Sequence, residues 1–307
     1  MIALRDAFFD KLYEIAKINK QVILLTDDFG APSLDKFRKD LSSQHINIGI
    51  AEQNMVSIAA GLALGGKIVY IYAIAPFVTL RCCEQIKVDL CCMNLHVTAL
   101  GVGAGYSYSD AGPTHHATED IAIMRALPGM TILNPSDNVM AAACAEISFN
   151  NPGPKYIRFD REKFPLIYNP TQDFSDGLTY LKTGNDLTLI ATGKMVHQAF
   201  KVADELAKHS VDTGIVDLYR IKPVNEKLLL KIIEKSERVV TLEENFINGG
   251  IGSILAEVLA DNNKTLPLKR IAIPDQYYFR YGNRNSLLSF CGLDVNSVTK
   301  RILKWLG

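Results

Sequence analysis

Glu52 is an acid set among apolar neighbours where a polar loop opens into a helix, in the stretch Asn47-Ile48-Gly49-Ile50-Ala51-Glu52-Gln53. Carboxylates in a first helical turn are favoured by roughly 0.3–1 kcal/mol, so a helix-start acid is the plain reading. The sharper alternative is an acid buried at an interface, where loss of solvent disfavours its charged form. The helix that follows has little bulk. Met55, Ile58, Ala59 and Leu62 recur at helical spacing, while Ala60, Gly61 and Ala63 fill much of the remaining surface. Its backbone could therefore lie very close to another element or another chain.

Ser109-Asp110-Ala111-Gly112-Pro113-Thr114-His115-His116 is a second group with chemical potential. Gly-Pro sets a turn, and the histidines arrive just before a helix expected to be capped by Thr118. A metal would want converging carboxylate or cysteine ligands, and adjacent histidines diverge, so metal is disfavoured. A single imidazole over a cleft would serve as acid or base near neutral pH. A histidine satisfying loop backbone groups fits the same pattern.

Two arginines, Arg158 and Arg161, fall at the carboxyl end of a strand in Tyr156-Ile157-Arg158-Phe159-Asp160-Arg161. That edge of an open parallel sheet is where ligands bind, and guanidinium suits phosphate or carboxylate. An ion pair with Asp160 or Glu162 is the plain alternative for either one. Gly101-Val102-Gly103-Ala104-Gly105 fails the dinucleotide fingerprint because Tyr106 stands where a third glycine is needed. Those glycines would instead let backbone pass close to a ligand or another chain. Gly249-Gly250-Ile251-Gly252 reads as a tight-packing turn.

The elements that must position these residues alternate. Buried apolar runs at 21–26, 67–74, 96–102, 130–133 and 155–159 are separated by helical stretches, including one expected over 77–95. From 163 to 178 the periodicity fails and Pro165, Pro170, Asp173 and Gly177 accumulate, marking a linker. A second alternating unit follows, with runs at 187–191, 213–218, 238–242 and 269–273. The expected fold is α/β, with two domains, each a mainly parallel sheet with helices on both faces. Boundaries are set at 1–165, a linker 166–179, and 180–307.

Balanced charge, 33 basic against 33 acidic residues with no long basic run, argues against nucleic acid as a partner. The first twenty residues form an amphipathic pattern broken by charges rather than a signal peptide, and no segment is apolar and long enough for a bilayer. The six cysteines include two adjacent pairs, Cys82-Cys83 and Cys91-Cys92, in an apolar stretch. They read as buried free thiols, which favours a reducing cytoplasm.

Gly-Ile-Ala-Glu-Gln, Gly-Pro-Thr-His, Asn134-Pro135-Ser136-Asp137 and Glu243-Glu244 leading into Gly249-Gly250 occur in the order seen in transketolases. The chain resembles that family, and the related deoxyxylulose-phosphate synthases, over nearly its whole length. It is similar only to their carboxyl-terminal half, the pyrimidine-binding and C-terminal domains, as in the split, two-subunit transketolases. The resemblance implies thiamine diphosphate as cofactor, with Glu52 hydrogen-bonding its aminopyrimidine, Phe77 stacking on that ring and Ile50 beside it. It implies His115 as the residue handling substrate hydroxyl protons, with Arg161, Arg158 and Asp110 as further substrate contacts.

Two departures from the family pattern stand out. Ala111 occupies the place of an aspartate before Gly-Pro-Thr-His, and the 101–105 loop lacks the family's histidine or arginine. The chain also lacks the Gly-Asp-Gly and downstream Asn-Asn that hold Mg2+ and diphosphate in the family. The resemblance thus implies a partner, an N-terminal transketolase subunit, and a complex of two copies of each chain acting on a sugar substrate. Two other expectations remain open at this level. One is the beta subunit of a 2-oxo-acid dehydrogenase, against which Gly-Pro-Thr-His argues; the other is a non-catalytic scaffold that has kept the fold.

Overall fold

The structure, a computed structural model, describes residues 2–307. Twelve strands are present among them: β1 (Val22–Thr26), β2 (His45–Asn47), β3 (Ile68–Ile74), β4 (Val97–Val102), β5 (Thr131–Leu133), β6 (Lys155–Phe159), β7 (Thr179–Lys182), β8 (Leu187–Ala191), β9 (Thr213–Asp217), β10 (Arg220–Lys222), β11 (Arg238–Phe246) and β12 (Leu268–Ile273). They form a seven-stranded sheet, β10-β5-β6-β4-β3-β1-β2, and a five-stranded sheet, β12-β11-β8-β9-β7. Pairing is parallel throughout except at one edge of each sheet, where β10 and β7 run antiparallel. β1, β4 and β6 are buried along their whole length, as continuous apolar runs covered on both faces must be. The two-sheet α/β architecture expected from the alternating pattern is the one observed.

One apolar cluster on the first sheet joins Leu4, Phe8 and Phe9 of the first helix to Tyr70, Phe159 and Met140. The cluster on the opposite face continues into the second sheet through Ile190, Val216 and Val239. The first sheet also reaches into the second half of the chain, because β10 pairs with β5.

Several expectations are corrected. The stretch 29–44 is polar and mixed, which by itself predicts a loop, yet it contains a helix, Leu34–Asp40, whose Leu34 and Phe37 enter the core. The long helix expected over 77–95 is broken into Ala75–Val78, Cys83–Gln85 and a π-helical turn, Ile86–Cys91. Thr118 is not a helix cap: the helix is Asp120–Ala126, its cap position is Glu119, and the Thr118 hydroxyl donates to Glu119 at 2.6 Å. A helix at Arg284–Phe290 was not anticipated. Its seven residues are too few to show a clear helical period.

Candidate active site at the carboxyl edge of the first sheet

Parallel strands present all their carboxyl ends on one side, so the loops leaving adjacent strands converge there. Asp27 follows β1, Glu52 follows β2, Phe77 follows β3, the 103–115 loop follows β4, and Asp160 and Arg161 follow β6. Residues far apart in sequence are thereby drawn to one edge.

Glu52 is the first residue of the Glu52–Leu64 helix and is 3% exposed, so it is buried as well as helix-starting. Its Oε1 accepts from Arg81 Nη1 at 2.7 Å. The Arg81 guanidinium also lies 4.2 Å from the Phe77 ring centroid, a cation–π contact. Phe77 meets His115 edge-on at 5.0 Å, and Tyr108 lies 5.9 Å from the same imidazole. Arg161 stacks over the Tyr108 ring at 4.0 Å. Glu52, Arg81, Phe77, His115, Tyr108 and Arg161 thus form one continuous chain of contacts.

The His115 Nδ1 lies 2.9 Å from the Thr114 hydroxyl, which orients the ring. Burial, then the Arg81 charge, push the His115 pKa below the ordinary histidine value of 6.5, while Asp110 pulls it up. The imidazole is therefore neutral at pH 7 and able to accept a proton. Asp27 is buried, with no hydrogen-bond partner at Oδ1. Burial and the nearby Glu52 carboxyl push it up to about 6.

The residues singled out in the sequence divide. Glu52, Phe77, His115 and Arg161 come together, and Asp110 stands exposed with its charge felt by His115. Ile50 is 80% exposed and outside the packed cluster. Arg158 lies inside the fold instead: it is buried, its Nε donates to Asp120 Oδ2 at 2.7 Å, and its Nη2 donates to the Ala117 and Glu244 carbonyls. Its ion-pair partner is neither Asp160 nor Glu162, because Asp160 is held bidentately by Arg284 at 2.8 and 2.6 Å. Burial works against the Asp160 charge, but the Arg284 guanidinium holds its pKa below the usual carboxylate range.

The other motifs build the frame. Asp137 caps the Asn138–Asn150 helix through Met140 N–H, and its second oxygen accepts from the Ile167 and Tyr168 amides of the linker. Ser136 donates to Asp217 in β9. Glu243 accepts from the Ile251 and Gly252 amides at 2.8 and 2.9 Å, closing the glycine turn. Glu244 accepts from Arg284 and from the Tyr106 amide, so it ties the second half of the chain to the site loop. The 101–105 glycines do serve close approach: a Cβ at Gly101 would stand 2.8 Å from Tyr156, and one at Gly105 2.6 Å from Glu244.

Arg81, Tyr108 and Asp27 were missed. Arg81 had no periodic signal, because the helix that carries Phe77 ends at Val78 and a turn brings the guanidinium back over the ring. Asp27 stands at a strand's carboxyl end, itself a hint. Nothing in the spacing marked Tyr108.

A family profile described as "Transketolase, pyrimidine binding domain" matches residues 1–165, and one described as "Transketolase, C-terminal domain" matches 177–298. The chain is 36% identical to one of the subunits named for the apulose-4-phosphate transketolase of Phocaeicola vulgatus, over 100% of this chain and 98% of that one. It is 34% identical to the 6-deoxy-6-sulfo-D-fructose transketolase subunit SqwH of a Clostridium species, over 89% and 85%. Among solved structures, one described as "Split gene transketolase, inactive beta4 tetramer" superposes with a TM-score of 0.89 at 32% identity, covering 99% of this chain and 98% of that one.

Proposed function

Because the chain belongs to the transketolase family, we propose that it is the carboxyl-terminal subunit of a two-chain, thiamine diphosphate-dependent transketolase. It would move a two-carbon ketol unit between sugar phosphates. The observation that carries this reading is the cluster of Glu52, Phe77 and His115 at one sheet edge, linked through Arg81.

The residues present fit the pyrimidine end of thiamine diphosphate. Glu52 is buried with one oxygen committed to Arg81, which leaves Oε2 to share a proton with a ring nitrogen. Phe77 keeps part of its ring open for stacking. When bound, the cofactor supplies the nucleophilic carbon and the electron sink that ketol transfer requires. Glu52 then holds the proton at Oε2. His115, neutral at pH 7, takes a proton from a substrate hydroxyl and returns it. Arg161, exposed at the far end of the cluster, binds the terminal phosphate.

We assign the diphosphate and Mg2+ to a separate amino-terminal subunit, in a complex with two copies of each chain. A relative of matching length is itself named as one subunit of a transketolase, and the similar β4 tetramer is described as inactive. Among the described residues no helix is long and apolar enough to cross a membrane. The six free thiols fit a reducing cytoplasm.

Coexpression with the amino-terminal chain tests the reading. The complex should transfer a ketol unit from a ketose phosphate to an aldose phosphate, and neither chain alone should. A complex that decarboxylates an oxo acid without transfer between sugars would overturn it.

A further inference from the structure

Gly103 has φ +104°, and a Cβ there would run into the Tyr108 ring. The ring folds back over the glycine loop, so the loop's bare backbone is what makes room for it. Tyr108 is 8% exposed, and its hydroxyl points inward without a partner among the described residues. The ring, rather than the hydroxyl, is therefore the part of Tyr108 offered to the site. Its two neighbours there are His115 at 5.9 Å and the Arg161 guanidinium at 4.0 Å. The loops beneath are stitched together: Ser107 Oγ accepts from the Arg161 amide at 3.2 Å and donates to Asp160 at 3.1 Å.

An exposed arginine on a flexible stem loses rotamer freedom when it grips an anion. A ring that already holds the guanidinium lowers that cost; Nη1 also reaches the Ser107 carbonyl at 3.5 Å, and the remaining N–H groups are left for a tetrahedral oxyanion.

We propose that Tyr108 is a positioning residue whose ring clamps Arg161 in the orientation that receives the terminal phosphate of the sugar substrate. The role of the bare 101–105 loop follows: it trades a polar side chain for an aromatic wall that acts through Arg161. This rests on the ketol-transfer reading and deepens it, because it makes the anionic end of the substrate the part that Tyr108 governs.

The test is steady-state kinetics of the reconstituted two-chain complex with a ketose phosphate donor and with hydroxypyruvate, a short donor without a phosphate, each paired with glycolaldehyde, an acceptor without a phosphate. Tyr108→Leu removes the ring and should raise KM for the ketose phosphate about fivefold, the loss of one exposed cation–π contact, with kcat little changed. Hydroxypyruvate turnover and thiamine diphosphate binding should be unmoved. Tyr108→Phe keeps the ring and should restore the wild-type KM. Should Tyr108→Leu fail to fold, Arg161→Lys, an exposed change that keeps charge but loses the planar stack, should raise the same KM by a larger factor than it lowers hydroxypyruvate turnover. Equal losses with both donors, or a Tyr108→Phe complex as impaired as Tyr108→Leu, would overturn the proposal. An unaltered complex that transfers nothing from either donor overturns the ketol-transfer reading and this assignment together, so the two failures are told apart.

Discussion

Arg81 Nη1 donates to Glu52 Oε1 across 2.7 Å, joining a side chain 43% exposed to one 4% exposed. The solvent-facing cation thereby decides which oxygen of the closed-off acid is left for a ligand. In the assembled complex, Glu52→Gln should cut ketol transfer by a factor on the order of 10²–10⁴, the usual worth of a positioned acid or base. Arg81→Met should weaken thiamine diphosphate binding about fivefold, since a half-exposed pair is worth about 1 kcal/mol. Cofactor titration and initial rates read both. Undiminished turnover by Glu52→Gln would leave the chain a scaffold rather than a catalytic subunit.

The pH profile should report His115. Its pKa is depressed by burial and then by Arg81, so the neutral form persists below pH 6.5 and the acid limb of kcat/KM should lie under that value. Asp110 is the group that pulls the pKa up, so Asp110→Asn should move the limb further toward acid. Arg81→Met should move it the other way. A limb that ignores both substitutions belongs to some other group.

The two arginines at the end of β6 should fail in different ways. Arg161→Met should raise KM for phosphorylated substrates and leave the melting temperature alone, because the side chain is exposed. Arg158→Met strands Asp120 without its buried cation and should destabilise the fold by about 3–5 kcal/mol. Denaturant midpoints and KM values on the same pair of variants separate a binding arginine from a structural one.

Asp217 predicts a pH dependence of stability. It is fully buried, and burial pushes its pKa from 3.8 up to about 7 despite donations from Ser136 and Tyr168. A carboxyl with a raised folded pKa contributes stability that is complete below about pH 3.8 and lost as the pH climbs through about 7. Asp217→Asn keeps an acceptor and cannot ionise, so the variant should gain on wild type by up to about 4 kcal/mol between pH 4 and 8. Urea unfolding at several pH values measures it; a gap independent of pH would refute the assignment.

Gly61 faces outward from the middle of the Glu52–Leu64 helix, with nothing within 4 Å of where a Cβ would be. Gly61→Ala should stabilise the free chain by about 1 kcal/mol. Gly61→Phe should leave the free chain folded and block assembly if this low-bulk face is the seat of another subunit. Sedimentation of the variant with the amino-terminal chain decides it, and an intact complex would move the interface elsewhere.

Much of this could be read before any coordinates. Continuous apolar runs at 155–159 and 187–191 announced buried parallel strands, because a strand covered on both faces has no polar side to show. Glu52 and His115 stood out as candidates, but their local sequence fits a helix-start acid and a loop histidine as well, and only the family motifs around them gave them a task. The broken stretch after Phe77 was not legible. A π-helical turn keeps the apolar composition of an α-helix and shifts its period only over a few residues. Arg158 and Arg161 were indistinguishable for a similar reason. Both stand near the carboxyl end of β6, and which of them meets a buried Asp120 depends on a helix almost forty residues away.

The sequence by itself determined the class of fold, the order of the elements and the residue types from which a site could be made. Local propensity and hydrophobic periodicity are short-range properties, and each is written in a few neighbouring residues. Only the tertiary structure decided which of those residues meet. Glu52 came to rest against Arg81, Phe77 against His115, and Arg161 on Tyr108, because parallel pairing gathers the carboxyl ends of β1, β2, β3, β4 and β6 on one edge. A contact between loops that leave different strands has no period along the chain, so no spacing in the sequence could announce it.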